Sequence, residues 1–217
     1  MYLYETHLHT APASGCARWS AAEAVRYYKN AGYAGIFITN HFLDDDIPEI
    51  RALPYAEQIQ LYFSDFEDGR QAGREVGLSV FSGVEISYLK TDFLIYGLDK
   101  AWYLDHPEID RMPVKDFLAL AQQEGALVIH AHPFREAGSI DHIRLYPRSV
   151  HGVEVYNANR SEFENEMAAK YAKITVCSPS PALIFTARSS AATAAVCAAN
   201  LPSLTSRTSS KKSWQDG

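Results

Sequence analysis

His7 and His9 stand one residue apart in the segment Glu5-Thr6-His7-Leu8-His9-Thr10. Side chains on an extended chain repeat with period two, so both imidazoles face the same way and can grip one metal ion together. Taken alone, the pair reads equally well as two polar residues at a strand edge. Similar groups recur further along. Asn40-His41 follows the apolar run Gly35 to Thr39, and Glu85 lies near the end of Phe81-Ser82-Gly83-Val84-Glu85-Ile86. Asp92 precedes Phe93-Leu94-Ile95-Tyr96, His130-Ala131-His132-Pro133 closes the run Ala126 to Ile129, and Glu154 and Asn157 mark the end of another.

Imidazole nitrogens and carboxylate oxygens suit zinc, manganese or iron, and such a mixture often holds more than one ion. Ions sharing a site can activate a water and clamp a phosphate through its transition state. Glu85 is the natural bridging ligand, because one carboxylate offers an oxygen to each of two ions. Its alternative is a buried, hydrogen-bonded glutamate, but a carboxylate on so apolar a strand is costly to bury without a cation. His132 follows an equally apolar strand and is read the same way. His130, two residues earlier, is expected to orient a ligand rather than be one. Arg135 is placed to meet a phosphate bidentately, with a surface salt bridge as its alternative. His106, His142 and His151 sit in polar surroundings and read as surface histidines. Asp44-Asp45-Asp46 reads as a solvated loop, and Phe63 and Phe66 as core or pocket lining.

These groups must be held by elements that end together. Short apolar runs alternate with helical patterns, the signature of βα units around a parallel sheet. Ser20-Ala21-Ala22-Glu23 is a capping box with apolar residues following at helical spacing, and Gly32 closes that helix. Leu78 to Ile86, Phe93 to Tyr96, Ala126 to Ile129 and Gly152 to Tyr156 read as further strands. Pro113 to Glu124 and Ser161 to Lys173 read as helices. Parallel βα barrels build their sites where strands end, so the recurrence of polar groups there predicts one shared pocket.

Among 217 residues, 47% are hydrophobic, enough for the core of one large domain. No run of eighteen apolar residues and no signal-peptide pattern occurs, so neither a membrane nor export is expected. Cys16, Cys177 and Cys197 are few and widely spaced, which suggests reduced thiols in a cytoplasmic protein. A net charge of -6 argues against nucleic acid as a partner.

Taken together, Glu-Thr-His7-Leu-His9-Thr, Ile-Thr-Asn-His41, Gly-Val-Glu85-Ile, Phe-Leu-Ile-Tyr-Gly, Ala-His132-Pro and Gly-Val-Glu154-Val-Tyr-Asn157 resemble the PHP family, named for its polymerase-associated and histidinol-phosphatase members. The motifs come in the family's order across residues 1 to 173. The resemblance implies an α/β fold, a distorted TIM-like (β/α) barrel, with two or three divalent metal ions (zinc, manganese or iron) and hydrolysis of a small phosphorylated substrate. It implies metal ligands at His7, His9, His41, Glu85, Asp92 and His132, with Glu85 and Arg135 in catalytic roles. His7, His9 and Glu85 would hold one ion, Glu85 and His132 a second, and His41 would belong to a third position.

The chain also departs from that pattern. Asn40 stands where the family usually has aspartate, and Asp92 where it commonly has histidine. Thr10 to Trp19 lacks the acid or histidine that often follows the first pair. The closing Gly-Ser-Asp-x-His element is missing, since no histidine follows His151.

The missing element coincides with a change in the sequence itself. Residues 1 to 173 carry a net charge of -9, whereas 174 to 217 carry +3, and 22 of those 44 residues are Ala, Ser or Thr. Pairing the third base of each codon with the first two of the next lets the code read H-G-L-L-P-F-A-G-S-D-I-H from Ile174 onward. The expectation is therefore a barrel domain over 1–173 and an out-of-frame tail over 174–217, with a frameshift near Lys173. The alternative is an authentic flexible Ala/Ser-rich tail. As written, the barrel would be truncated and its phosphoesterase activity impaired. Two rival readings are an inactive remnant of such an enzyme and another His-x-His barrel metallohydrolase acting on amide or ring bonds.

Overall fold

The computed structural model describes residues 2–43, 46–175 and, for the backbone alone, 194–198. Asp44, Asp45 and Cys177 lie outside the described residues, as does most of the tail expected to be out of frame. The elements are β1 (Tyr4–Leu8), α1 (Ala21–Asn30), β2 (Gly35–Ile38), α2 (Pro48–Arg51), α3 (Tyr55–Val76), β3 (Ser79–Tyr88), β4 (Thr91–Tyr96), α4 (Lys100–Asp105), a 3-10 turn (Pro107–Arg111), α5 (Val114–Gln123), β5 (Leu127–His130), β6 (Gly152–Asn157), α6 (Glu162–Thr175) and β7 (Ala194–Ala198).

All seven strands form one curled sheet in chain order, β1 to β7. The expectation of a purely parallel sheet is corrected here. β1, β2 and β3 run parallel, but β4 is antiparallel to both β3 and β5. The reason is local: Leu89 and Lys90, both at positive φ (49° and 65°), fold the chain straight back. Two left-handed residues make the hairpin turn that suits the twist of two strands, so no crossover helix intervenes. Asp92 consequently lies inside β4 rather than ahead of it.

α1 begins with the expected capping box, in which the Glu23 backbone N–H donates to Ser20 Oγ and Ser20 N–H donates to the Glu23 carboxylate. It buries Ala24, Val25 and Tyr28 against Ile36 and Ile38 of β2. α3, 22 residues long, was not foreseen from the sequence. Its buried face mixes Ile59, Tyr62 and Phe63 with Gln58, Asp65, Gly69 and Gly73, so no clean apolar stripe marks it. Those glycines let it lie directly on the sheet: a Cβ on Gly73 would stand 2.6 Å from the Leu78 carbonyl oxygen and from Val80 Cγ2. The larger core cluster joins α3, α4 and α5 to the sheet through Phe63, Tyr103, Phe117, Val84, Phe93 and Ile95. No helix among the described residues is long and apolar enough to cross a membrane.

Candidate metal centre

Six of the expected groups converge at one end of this sheet. β1 delivers His7, with His9 just past its end, and His41 follows β2. The β2–β3 pairing extends to that point, because Glu85 N–H donates to the Asn40 carbonyl and Phe42 N–H to the Glu85 carbonyl. This backbone zipper brings His41 beside Glu85.

Glu85 is 1% exposed and sits at the centre of four imidazoles. On one oxygen, Oε1, His7 Nε2 and His132 Nε2 each lie 3.2 Å away. On the other, Oε2, His9 Nε2 lies at 3.1 Å and His41 Nδ1 at 2.9 Å. His7 Nε2 and His9 Nε2 are themselves 3.0 Å apart. The four rings therefore sort into two pairs, one per carboxylate oxygen. Glu85 Oε2 is buried, and neither nearby nitrogen meets it along a hydrogen-bonding direction. Four imidazoles and one carboxylate around a buried, unmated oxygen fit divalent cations in type and in crowding.

Neighbours hold these side chains in place. Glu154, 1% exposed, takes His7 Nδ1 at 2.9 Å and accepts the backbone N–H of His132 at 2.8 Å and Asn157 Nδ2 at 3.2 Å. A carboxylate behind a histidine fixes its tautomer and turns its other nitrogen inward. The sequence marked Glu154 only as a strand-end acid, and its spacing carried no sign of this role. Ser14 Oγ, 3.1 Å from His9 Nδ1, does the same for His9 and also accepts the His41 backbone N–H at 2.8 Å. His132 itself stands at φ 26°, a left-handed conformation costly for any non-glycine residue and found where function over-determines the backbone.

Asp92 and Arg135 lie at the margin of the cluster. Arg135 Nη1 donates to Asp92 Oδ2 at 3.0 Å, Ser87 Oγ donates to the other oxygen, and His132 Nε2 is 3.7 Å from Asp92. Arg135 also lines the open cleft over the centre, about 670 Å³, together with Arg18, Trp19, Asn157 and Arg160. His130 is buried and stacks on Phe93, ring centres 5.1 Å apart. Burial, helped by the His132 charge, pushes its pKa down to about 3, so it stays neutral. His151 is not a free surface residue: its Nδ1 accepts the Val128 N–H at 3.0 Å and ties the chain to β5. His106 stacks on Trp102, and His142 pairs with Asp141 in solvent.

Two groups escaped sequence reasoning altogether. Cys16 lies against His9 and His41, whose hydrogen bonds hold its thiol down at about 6. Asp65, from α3, explains Asn40. Asn40 Oδ1 accepts the Thr10 N–H at 2.6 Å, while Nδ2 donates to Thr10 Oγ1 at 3.0 Å and to Asp65 Oδ2 at 3.1 Å. An aspartate at 40 would lose that donor and set two carboxylates together in a buried space. Asn40→Asp is expected to cost about 1–3 kcal/mol at neutral pH, the penalty of a buried group left unmated. Adding Asp65→Asn should recover much of it. Thermal melts of the single and double variants check this, and an unshifted single variant would refute the pairing.

Burial alone would disfavour charge on His41, but Cys16 and Glu85 beside it outweigh burial and hold it up at about 10. Burial likewise opposes ionisation of Glu85, yet His7, His132 and His41 draw it well below its ordinary value. In the metal-free chain, the His41 contribution is therefore full below its ordinary 6.5 and disappears as pH rises through about 10. The Glu85 contribution is present above its ordinary 4.5 and fades as pH falls toward its lowered value. Cations must displace the imidazolium protons, so zinc uptake at pH 7 should release protons. Calorimetry in two buffers of different ionisation heat measures this release; identical heats would mean that the imidazoles are already neutral.

No family profile matches this sequence, and no curated protein does. Solved structures match in fold. A two-domain protein from Bacteroides vulgatus, containing a predicted PHP-like metal-dependent phosphoesterase, superposes with a TM-score of 0.60 at 17% identity. The match covers 79% of this chain and 48% of that one, so this chain spans about half of that protein's length. A candidate metal-dependent phosphoesterase from Bifidobacterium adolescentis gives 0.55 at 13% identity, over 80% of this chain and 84% of that one. An amidohydrolase from Chromobacterium violaceum, with sulfate bound and no metal, gives 0.52 at 12% identity, over 79% and 83%.

Proposed function

We propose that the chain is a metal-dependent phosphoesterase of PHP type, in which two or three divalent cations gather around Glu85. The observation that carries this reading is the division of four imidazoles between the two oxygens of one buried carboxylate. His7, His132 and Glu85 would hold one ion, and His9, His41 and Glu85 another. Bound there, such ions supply Lewis acidity at a phosphoryl oxygen and a water ready to attack at neutral pH. The protein's own residues do the positioning. Glu154 keeps His7 and the turn at His132 in place, and Ser14 does so for His9. Arg135, Arg18 and Arg160 line the cleft where an anionic ester would settle. Arg135, tethered by Asp92, faces the charge that grows on the phosphoryl group as the leaving group departs. The sulfate held by the Chromobacterium structure has the shape and charge of such a group.

The domain reading goes with this one. Residues 1–173 make the working part of a distorted TIM-like barrel, and 174–217 are read out of frame, which leaves the barrel wall short and its activity impaired. A cytoplasmic setting is read from the few, widely spaced cysteines of the sequence. Resequencing the coding DNA from the Glu162 codon to the stop decides the frame: a base gained or lost near Lys173 upholds the reading, and an intact frame ends it.

The amidohydrolase neighbour keeps amide-bond hydrolysis as a second reading. Both are tested on the frame-restored chain, loaded with zinc or manganese and offered an aryl phosphomonoester, an aryl phosphodiester and a cyclic amide. Phosphoester turnover that chelation removes and metal restores is the expected result. Cleavage of the cyclic amide alone would transfer the chain to the second reading.

A further inference from the structure

Cys16 stands in the cleft over the centre, against His9 and His41, and is not among the ligands that the resemblance supplied. Its sulfur and one nitrogen each of His9 and His41 all lie within 4.8 Å of one another. The same two histidines are those that face Glu85 Oε2, at 3.1 and 2.9 Å, and that oxygen is the buried one without a hydrogen-bond partner. Two features of the local chain produce this approach. Ser14 anchors the loop after β1 to both His9 and the His41 backbone, and Ala11 pairs with Ser20 across the loop, so the residues between them fold back over the centre.

We propose that Cys16 is a metal ligand, completing with His9, His41 and Glu85 a sulfur-containing position at Glu85 Oε2. The proposal rests on the metal-centre reading above and adds a donor to it. One thiolate, two imidazoles and one carboxylate are four donors of the kind zinc accepts in four-coordinate sites, and sulfur turns preference away from manganese and magnesium. It also changes what the missing tail element means. His41 was expected to belong to a third position in a chain that lacks the closing Gly-Ser-Asp-x-His element, whereas here a further donor comes from residue 16. This position can then be filled by the chain as it stands.

The experiment is a cobalt(II) titration of the full-length chain, followed by ultraviolet and visible absorption and by bound-metal analysis. A thiolate ligand gives an intense sulfur-to-cobalt charge-transfer band in the near ultraviolet, distinct from the weak visible bands of any bound cobalt. The band is expected in the parent chain and in Cys177→Ser/Cys197→Ser. It is expected to vanish in Cys16→Ser, which should bind about one cobalt fewer while keeping the rest. Cys16 is exposed, so Cys16→Ser should fold as the parent does, with the same far-ultraviolet circular dichroism. Visible bands without the ultraviolet band would overturn the thiolate ligand and leave the metal centre standing. A band that survives Cys16→Ser would overturn it too, by assigning the sulfur to another cysteine. A chain that takes up no cobalt at all would overturn both the metal centre and this addition to it.

Discussion

Glu85→Gln is expected to strip the centre of its cations while leaving the chain folded. The amide keeps the size of the carboxylate but loses the charge and one acceptor oxygen that the four imidazoles share. Removing a group that merely orients a ligand costs about 10–100-fold in metal affinity, so losing the shared ligand should cost more than that. Equilibrium dialysis with metal analysis reads the result directly. In a frame-restored chain the same change should abolish metal-dependent phosphoester hydrolysis. Undiminished metal content would show that Glu85 is the buried, hydrogen-bonded glutamate of the alternative reading. The histidines give a second readout. Without Glu85 beside it, His41 loses one of the two groups that hold its pKa near 10, and should titrate lower.

Phe93→Ala is expected to have the largest effect on stability. The ring is fully buried in β4, opposite His130 on β5 and Ile86 on β3, and packs edge-on to Tyr146 at 5.2 Å. Truncating a buried phenylalanine costs about 3–5 kcal/mol, through lost burial and the cavity it leaves. Urea denaturation measures the loss, and Phe93→Leu should cost clearly less. The cavity would open beneath His130, which rests on that ring, so the turn at His132 should loosen as well. Metal affinity is then expected to fall along with stability. A stable variant that binds metal normally would contradict this account of what supports the turn.

The cluster was legible in the sequence to the extent that each of its polar groups ends an apolar run. His7, His9, His41, Glu85 and His132 could be placed because a polar residue where a buried strand stops needs a reason, and several such strands point to one place. The first six strands match the sequence reading within a residue or two, whereas β7 lies in the stretch read as an out-of-frame tail. α3 was missed because its inward face uses glycine, glutamine and aspartate, which no hydrophobic period reveals. The antiparallel β4 was missed because nothing in Tyr88-Leu89-Lys90-Thr91 resembles the Asn-Gly or Asp-Gly pairs that usually announce a tight hairpin. Glu154 and Ser14 were not assigned their roles because holding a ligand from behind depends on distance in space alone. Asn40 looked like a defect in the motif until Asp65, 25 positions away, supplied its other half.

Glu154 reaches His7 across 147 positions, from the sixth strand to the first. The centre is thus made of residues that meet only after every intervening strand has found its neighbour. Local pairs such as the β3–β4 hairpin can form early, but contacts between distant parts of a chain wait on closing long loops. No partly assembled intermediate brings His7 and Glu154 together, so cations bound as proposed would mark chains that have finished folding. On the proposed metal reading, uptake would be the last step of making the protein and would stabilise only the completed form.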